Sequence, residues 1–152
     1  MLTPEAIDLF DTAVLCWLAT VDANGQPSVS PKEIFALGSP HELLIADIAS
    51  PRSVRNVRAQ GDVCVAAVDV FEQHGYQAYG RAEVVSPGDA DFTEVSRPLC
   101  EIAREKYPIR SVIRVRVDRV TRILAPSLWM YPDVDAVERR AGVLDNYGVT
   151  DA

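Results

Sequence analysis

The densest run of chemically useful side chains lies at residues 47–56, Asp47-Ile48-Ala49-Ser50-Pro51-Arg52-Ser53-Val54-Arg55-Asn56. A strand-like apolar run ends there. Ser50-Pro51 then has the pattern of a helix start, with Ser50 as the cap and Pro51 at the first helical position. The first amides of a helix lack partners within it, and the positive end of the helix dipole reinforces them, so such a junction attracts anions. Arg52 adds a planar fork that matches phosphate, and Ser53 adds a hydroxyl. The same residues also read as a capped, solvent-facing helix with ordinary surface arginines, and local chemistry alone favours that plainer reading.

A second stretch is Gln26-Pro27-Ser28-Val29-Ser30-Pro31-Lys32-Glu33-Ile34-Phe35. Ser28, Ser30 and Lys32 alternate onto one face of a strand, where Lys32 can set a positive charge beside a bound group. Pro31 favours an edge strand, and a surface lysine on such an edge is the simpler local account. The two histidines, His41 and His74, fall in expected turns, and their spacing suggests no metal site. There is no GxSxG elbow, no GxGxxG and no GxxxxGK[ST] loop. Chemistry in so sparsely equipped a chain would reside in a cofactor.

The elements that must position these residues follow from hydropathy and turn signals. Thr3-Pro4-Glu5 opens a short helix with Ile7, Leu9 and Phe10 on its apolar side. Residues 13–21 form a buried strand, and Asn24-Gly25 marks a hairpin. Residues 27–37 return as a single strand, and residues 42–48 add a third, which together make an antiparallel meander. A helix runs from Ser50 to about Gln60, with Val54 and Val57 facing inward. Strands follow at 62–71 and 76–85, separated by a turn at His74-Gly75. Gly80, inside the second of these, marks a bend or a close backbone approach, as at a barrel corner. A helix from Pro87 to about Lys106 leads to a long strand at 111–124. The tail from Ala125 is irregular and carries Trp129, Tyr131 and Tyr147, aromatics that need a surface to pack on. The expected fold is mostly β with flanking helices, a six-stranded antiparallel split β-barrel in one domain over residues 1–152. The tail, 126–152, packs on the barrel or on a partner subunit.

With 152 residues, 48% of them hydrophobic and 24% charged, the chain suits one globular domain. Its net charge of −7 argues against nucleic acid, which demands a basic face. Three well-separated cysteines without a CxxC point to a reducing compartment. The N-terminus has no signal-like character and no apolar run is long enough for a membrane span, so a cytoplasmic location is expected.

The order of the pieces resembles the pyridoxamine 5'-phosphate oxidase-like, FMN-binding split-barrel family. The likeness begins at Val14-Leu15-Cys16-Trp17-Leu18-Ala19-Thr20-Val21 and Asn24-Gly25-Gln26-Pro27. It passes through Leu43-Leu44-Ile45-Ala46-Asp47 into Ser50-Pro51-Arg52-Ser53-Val54-Arg55-Asn56-Val57. It then continues over residues 63–68 and 75–84, spanning roughly residues 5–125. The resemblance implies FMN held at a homodimer interface. Ser50, Arg52 and Ser53, with Asn56 beside them, match the phosphate-binding positions. Residues 30–34 match the strand along the isoalloxazine ring, making Ser30, Pro31, Lys32 and Glu33 candidates. Asp47, Ile48 and Ala49 match the segment beside the ribityl chain and ring. His74 and Gln77 match a stretch that reaches cofactor from the second subunit, and Trp129 and Tyr131 would cover the flavin. The oxidase itself is longer and carries further basic residues for its substrate's phosphate. The short acidic tail here points away from pyridoxamine phosphate as substrate. Relatives in this fold also include deazaflavin (F420) users and flavin binders without a known reaction, so an FMN oxidoreductase, an electron carrier and an F420-dependent reductase all remain open.

Overall fold

The computed structural model describes residues 1–104 and 106–149. Its elements in chain order are α1 (Pro4–Thr12), β1 (Cys16–Val21), β2 (Pro27–Lys32), β3 (Phe35–Ser39), β4 (Glu42–Asp47), α2 (Pro51–Ala59), β5 (Asp62–Asp69), β6 (His74–Val85), α3 (Phe92–Ala103), β7 (Ser111–Leu124), α4 (Ser127–Met130) and α5 (Ala136–Tyr147). The strands form one antiparallel sheet in the order β2-β1-β5-β6-β7-β4-β3.

The mostly β class with flanking helices holds, but the sheet has seven strands rather than six. Residues 27–37, expected as one strand, break at Glu33-Ile34 into β2 and β3. β2 pairs with β1, whereas β3 pairs with β4, so the expected three-strand meander does not form. β2 and β3 are the two edges of the sheet, yet only two residues join them. A link that short spans about 11 Å at most, so the sheet must roll until its edges meet at this corner. The edges meet without a ladder, which leaves the barrel split there.

The interior is packed by Leu18, Leu43, Ile45, Val65, Ile113 and Val115, all fully buried. β4 is buried on both faces because its run Leu43-Leu44-Ile45-Ala46 is apolar throughout. Leu43 and Ile45 face the barrel, while Leu44 and Ala46 join Val95, Leu99 and Val112 under α3. α1 begins as expected: Thr3 Oγ1 accepts from the Ala6 amide at 3.3 Å, and Ala6, Leu9 and Phe10 are buried.

Other boundaries move for identifiable reasons. The expected turn at His74-Gly75 lies earlier, at residues 70–73, because Asp69 Oδ1 accepts from the Phe71 and Glu72 amides and closes it. His74 is the first residue of β6. The helix expected from Pro87 begins at Phe92, because Asp89 Oδ2 accepts from the Ser86 amide and holds residues 86–89 in a turn. It stops at Ala103, where Arg104 takes a left-handed conformation with φ 48°. The tail contains a capped helix, α5, with Val143 and Leu144 buried.

Gly80 behaves as its position suggests. The β6–β7 register shifts between Tyr79 and Gly80, and a side chain there would collide with the Arg116 carbonyl. Gly80→Ala is therefore expected to destabilise the fold by about 1–3 kcal/mol in urea unfolding. Gly88→Ala, which meets nothing within 4 Å, should change stability by less than about 0.5 kcal/mol. Equal stabilities for the two variants would show that the bulge relaxes freely.

Cys16 lies on the barrel's inward face, and burial pushes its thiol up from 9.0 to about 12. A group whose folded value is raised gives stability that is complete below its unfolded value and fades as pH climbs towards the folded one. Wild type should therefore lose its advantage over Cys16→Ala by ~1.4 kcal/mol per pH unit above about pH 9. Urea unfolding across that range checks this, and a constant difference would contradict it.

Candidate functional site

α2 is short and carries three arginines on a polar sequence, so its place is set by a few inward contacts. Val57 is buried, and Asn56 Nδ2 donates to Thr20 Oγ1 at 3.0 Å inside the barrel. These contacts hold the helix across β1 and β6 and aim its first turn at β2.

β2 presents Ser28, Ser30 and Lys32 inward, while Pro27, Val29 and Pro31 are exposed. Lys32 is only 6% exposed, and its Nζ donates to Ser50 Oγ at 2.6 Å. Ser30 Oγ and Ser53 Oγ lie 3.1 Å apart. Two side-chain contacts thus tie the β2 edge to the start of α2. Burial lowers the Lys32 ammonium's pKa from the ordinary lysine value, with Asp47 acting in the opposite direction.

Ser50 stands at the N-cap position but makes no capping hydrogen bond. Its hydroxyl is engaged by Lys32 instead. Pro51 has no N–H, so the amides of Arg52 and Ser53 are left without a capping partner. Asp47 closes the other side of the junction. Its Oδ1 accepts from the Ser50 amide at 2.9 Å, and its Oδ2 accepts from Ser111 Oγ at 3.0 Å.

Three clefts open around this junction. One, of about 310 Å³, is lined by Pro31, Lys32, Glu33, Ile34, Ala46, Ile48, Ser50 and Tyr107. A second, of about 300 Å³, lies further back along β2 and is lined by Ser28, Arg52, Arg55 and Asn56, with the 22–27 hairpin. A third, of about 540 Å³, lies between α2 and the start of β7. The first two lie at either end of β2, separated by the Ser30–Ser53 and Lys32–Ser50 contacts. Residues 27–33 extend over about 20 Å of strand, room for an elongated ligand with one anionic end.

The structure brings together Ser30, Pro31, Lys32, Glu33, Ile48, Ser50, Arg52, Ser53 and Asn56 around α2 and the β2 edge. Ser53 and Asn56 are buried and bonded to the barrel, so they brace the junction rather than face open solvent. Asp47 is buried behind Ser50, and Ala49 is exposed beside it. His74 and Gln77 do not join this group. Gln77 lies in the row Pro31–Trp17–Ala66–Gln77 across four neighbouring strands, about 14 Å from Pro31. His74 sits further along β6, with a buried Nδ1 that has no partner among the described residues. Trp129 and Tyr131 are exposed beyond Leu124, at the opposite end of β7 from Ser111, so within one chain they cover nothing at the junction. Sequence reading missed Tyr107 as a cleft residue. It sits on a loop without regular pattern, and no local signal marks it.

Comparison with known proteins agrees with this architecture. A family model described as pyridoxamine 5'-phosphate oxidase matches residues 2–124. No curated protein matches the sequence. Among solved structures, HupZ from Group A Streptococcus is 25% identical, covers 82% of this chain and 96% of its own, and has a TM-score of 0.69. An FMN-binding protein from Syntrophomonas wolfei is 12% identical, with 79% and 84% covered and a TM-score of 0.65. The heme storage protein HutZ from Vibrio cholerae is 18% identical, with 81% and 94% covered and a TM-score of 0.65. The last two share the fold alone. With its rolled sheet, its split at the β2–β3 corner and a family match over four fifths of its length, this chain belongs to the pyridoxamine 5'-phosphate oxidase family.

Proposed function

We propose that this protein binds FMN along β2, shares it across a homodimer interface and works as a flavin-dependent oxidoreductase. The observation that carries the reading is the pair of clefts at either end of β2, one lined by arginines and one with apolar walls, on either side of the uncapped start of α2. Arg52, with its free amide, and Ser28 would hold the phosphate end. Pro31, Ile34, Ile48 and Tyr107 form the apolar walls suited to an aromatic ring.

When bound, the flavin supplies hydride and electron transfer. The protein's own residues supply position and charge. Lys32 is anchored on Ser50 at the floor of the ring cleft, with further N–H donors free to face a ligand. A fixed ammonium at that depth favours a ring that gains negative charge, and its effect is strengthened by burial. Glu33 stands exposed at the rim.

Both clefts are shallow in a single chain, and the adjoining outer face of the barrel is unusually apolar. Trp17 is 45% exposed and Val29 60% exposed, diagonal neighbours on β1 and β2, with Pro31 opposite Trp17. A second copy set against this face would exclude water from the ring cleft and bring its own Gln77 row near the edge of β2. The fold neighbour that stores heme suggests a second ligand class. Histidine is the usual axial ligand of heme iron in oxygen-binding proteins, and no histidine lines the three clefts among the described residues.

The absorption spectrum of purified protein tests the reading directly. A flavin spectrum, or one acquired on incubation with FMN, is expected. A Soret band, or colourless protein that takes up no FMN, overturns it. Arg52→Ala should weaken FMN binding by about 1.5–3 kcal/mol, roughly 10- to 150-fold, in a fluorescence titration. No change would remove the phosphate assignment. Trp17→Glu should convert a dimer to a monomer by light scattering and reduce FMN affinity with it. A wild-type monomer would refute the shared interface.

A further inference from the structure

The third cleft, between α2 and the start of β7, shares Arg55 with the phosphate-end cleft and Ser50 with the ring cleft, but its Arg58, Ser86 and Arg110 are unused by the flavin reading. Its walls hold Arg55 and Arg58 from α2, Arg110 from the approach to β7, and Ser86 from the end of β6. Its floor holds Asp47 and Ser111, which bond each other.

The cleft is locally basic, with three arginines and one aspartate, in a chain of net charge −7. The protein carries 22 acidic against 15 basic residues. Even so, no carboxylate among the described residues pairs with Arg55, Arg58 or Arg110. No acid occurs between Asp47 and Asp62 in sequence. The one carboxylate lining the cleft, Asp47, has both oxygens engaged by the Ser50 amide and the Ser111 hydroxyl. Lys32 partly offsets its charge from behind. The Arg110 backbone amide is also fixed, donating to Asp47 O at 2.8 Å. Three exposed arginines thus line one opening, with no side-chain hydrogen bond or ion pair among the described residues.

We infer that this cleft binds a small molecule through a diphosphate group. Arg55 and Arg58 are three positions apart on α2 and so stand side by side, about 5–6 Å between their Cβ atoms. Arg110 faces them across the cleft. Two adjacent forks and a third opposite match two linked phosphoryl groups better than a single compact anion, because each fork binds bidentately. The volume of about 540 Å³ leaves space for the organic part of such a ligand. Ser50 lines both this cleft and the proposed ring cleft, and Arg55 stands between this cleft and the phosphate-end cleft, so a diphosphate ligand would lie next to the flavin.

Calorimetric titration of the FMN-saturated protein with inorganic pyrophosphate, orthophosphate, ADP and a reduced nicotinamide dinucleotide tests this. Pyrophosphate should bind, and orthophosphate should bind distinctly more weakly. Tighter binding of ADP or the dinucleotide would identify a nucleotide ligand, and equal affinities would identify the free diphosphate. Arg58→Gln and Arg110→Gln should each weaken pyrophosphate binding about tenfold or more while leaving FMN uptake unchanged. Arg52→Ala should leave pyrophosphate binding intact. Absence of binding, equal affinity for orthophosphate, or insensitivity to both arginine substitutions overturns the inference. If FMN fails to bind but pyrophosphate binds to the unloaded protein, the flavin reading falls and this one stands.

Discussion

Two polar side chains, Ser30 and Lys32, face inward from the edge of a barrel packed mainly with apolar side chains, and they need partners there. Ser30 and Lys32 find them in Ser53 and Ser50, at the first turn of α2. A buried ammonium without a hydrogen bond would be costly, and so would an unpaired hydroxyl. These contacts therefore fix where α2 begins relative to β2. They also divert the Ser50 hydroxyl from its ordinary capping task, which is why the helix start keeps free amides. The anion-attracting character of the junction follows from how the barrel edge is satisfied.

The split in the barrel arises from the same region. A continuous strand over 27–37 would have closed the sheet on one side only. The break at Glu33-Ile34 lets the chain leave one edge and enter the other, leaving a seam with clefts along it. Proteins protect open strand edges by covering or pairing them. Here α2 covers part of the inner edge, and the exposed apolar face of Trp17 and Val29 leaves the outer part for a partner. The seam, the uncovered face and the clefts are one feature seen from three sides.

Charge is segregated in the same way. On β7, Arg114 is held by Glu83 and Asp91, and Arg116 lies beside Asp118. Around α2 the arginines are unmatched, although the chain as a whole is acidic. An acidic exterior with a basic collar at one helix draws small anions to that collar while repelling polyanions elsewhere.

The sequence alone determined the class of fold, the position of α2, the inward alternation of Ser28, Ser30 and Lys32, and the bend at Gly80. Each depends on period, capping or turn chemistry within about ten residues, where local physics decides. The break at Glu33-Ile34 was not legible, because it reflects which distant strands the two halves pair with. The start of β6 was hidden because Asp69 closes the turn with its side chain, a competition that composition does not rank. The meeting of Arg110 with Arg55 and Arg58, the place of Tyr107 and the separation of Gln77 from Pro31 belong to tertiary structure alone. Residues tens of positions apart become neighbours only when the sheet rolls, and the energy that rolls it is spread over the whole core.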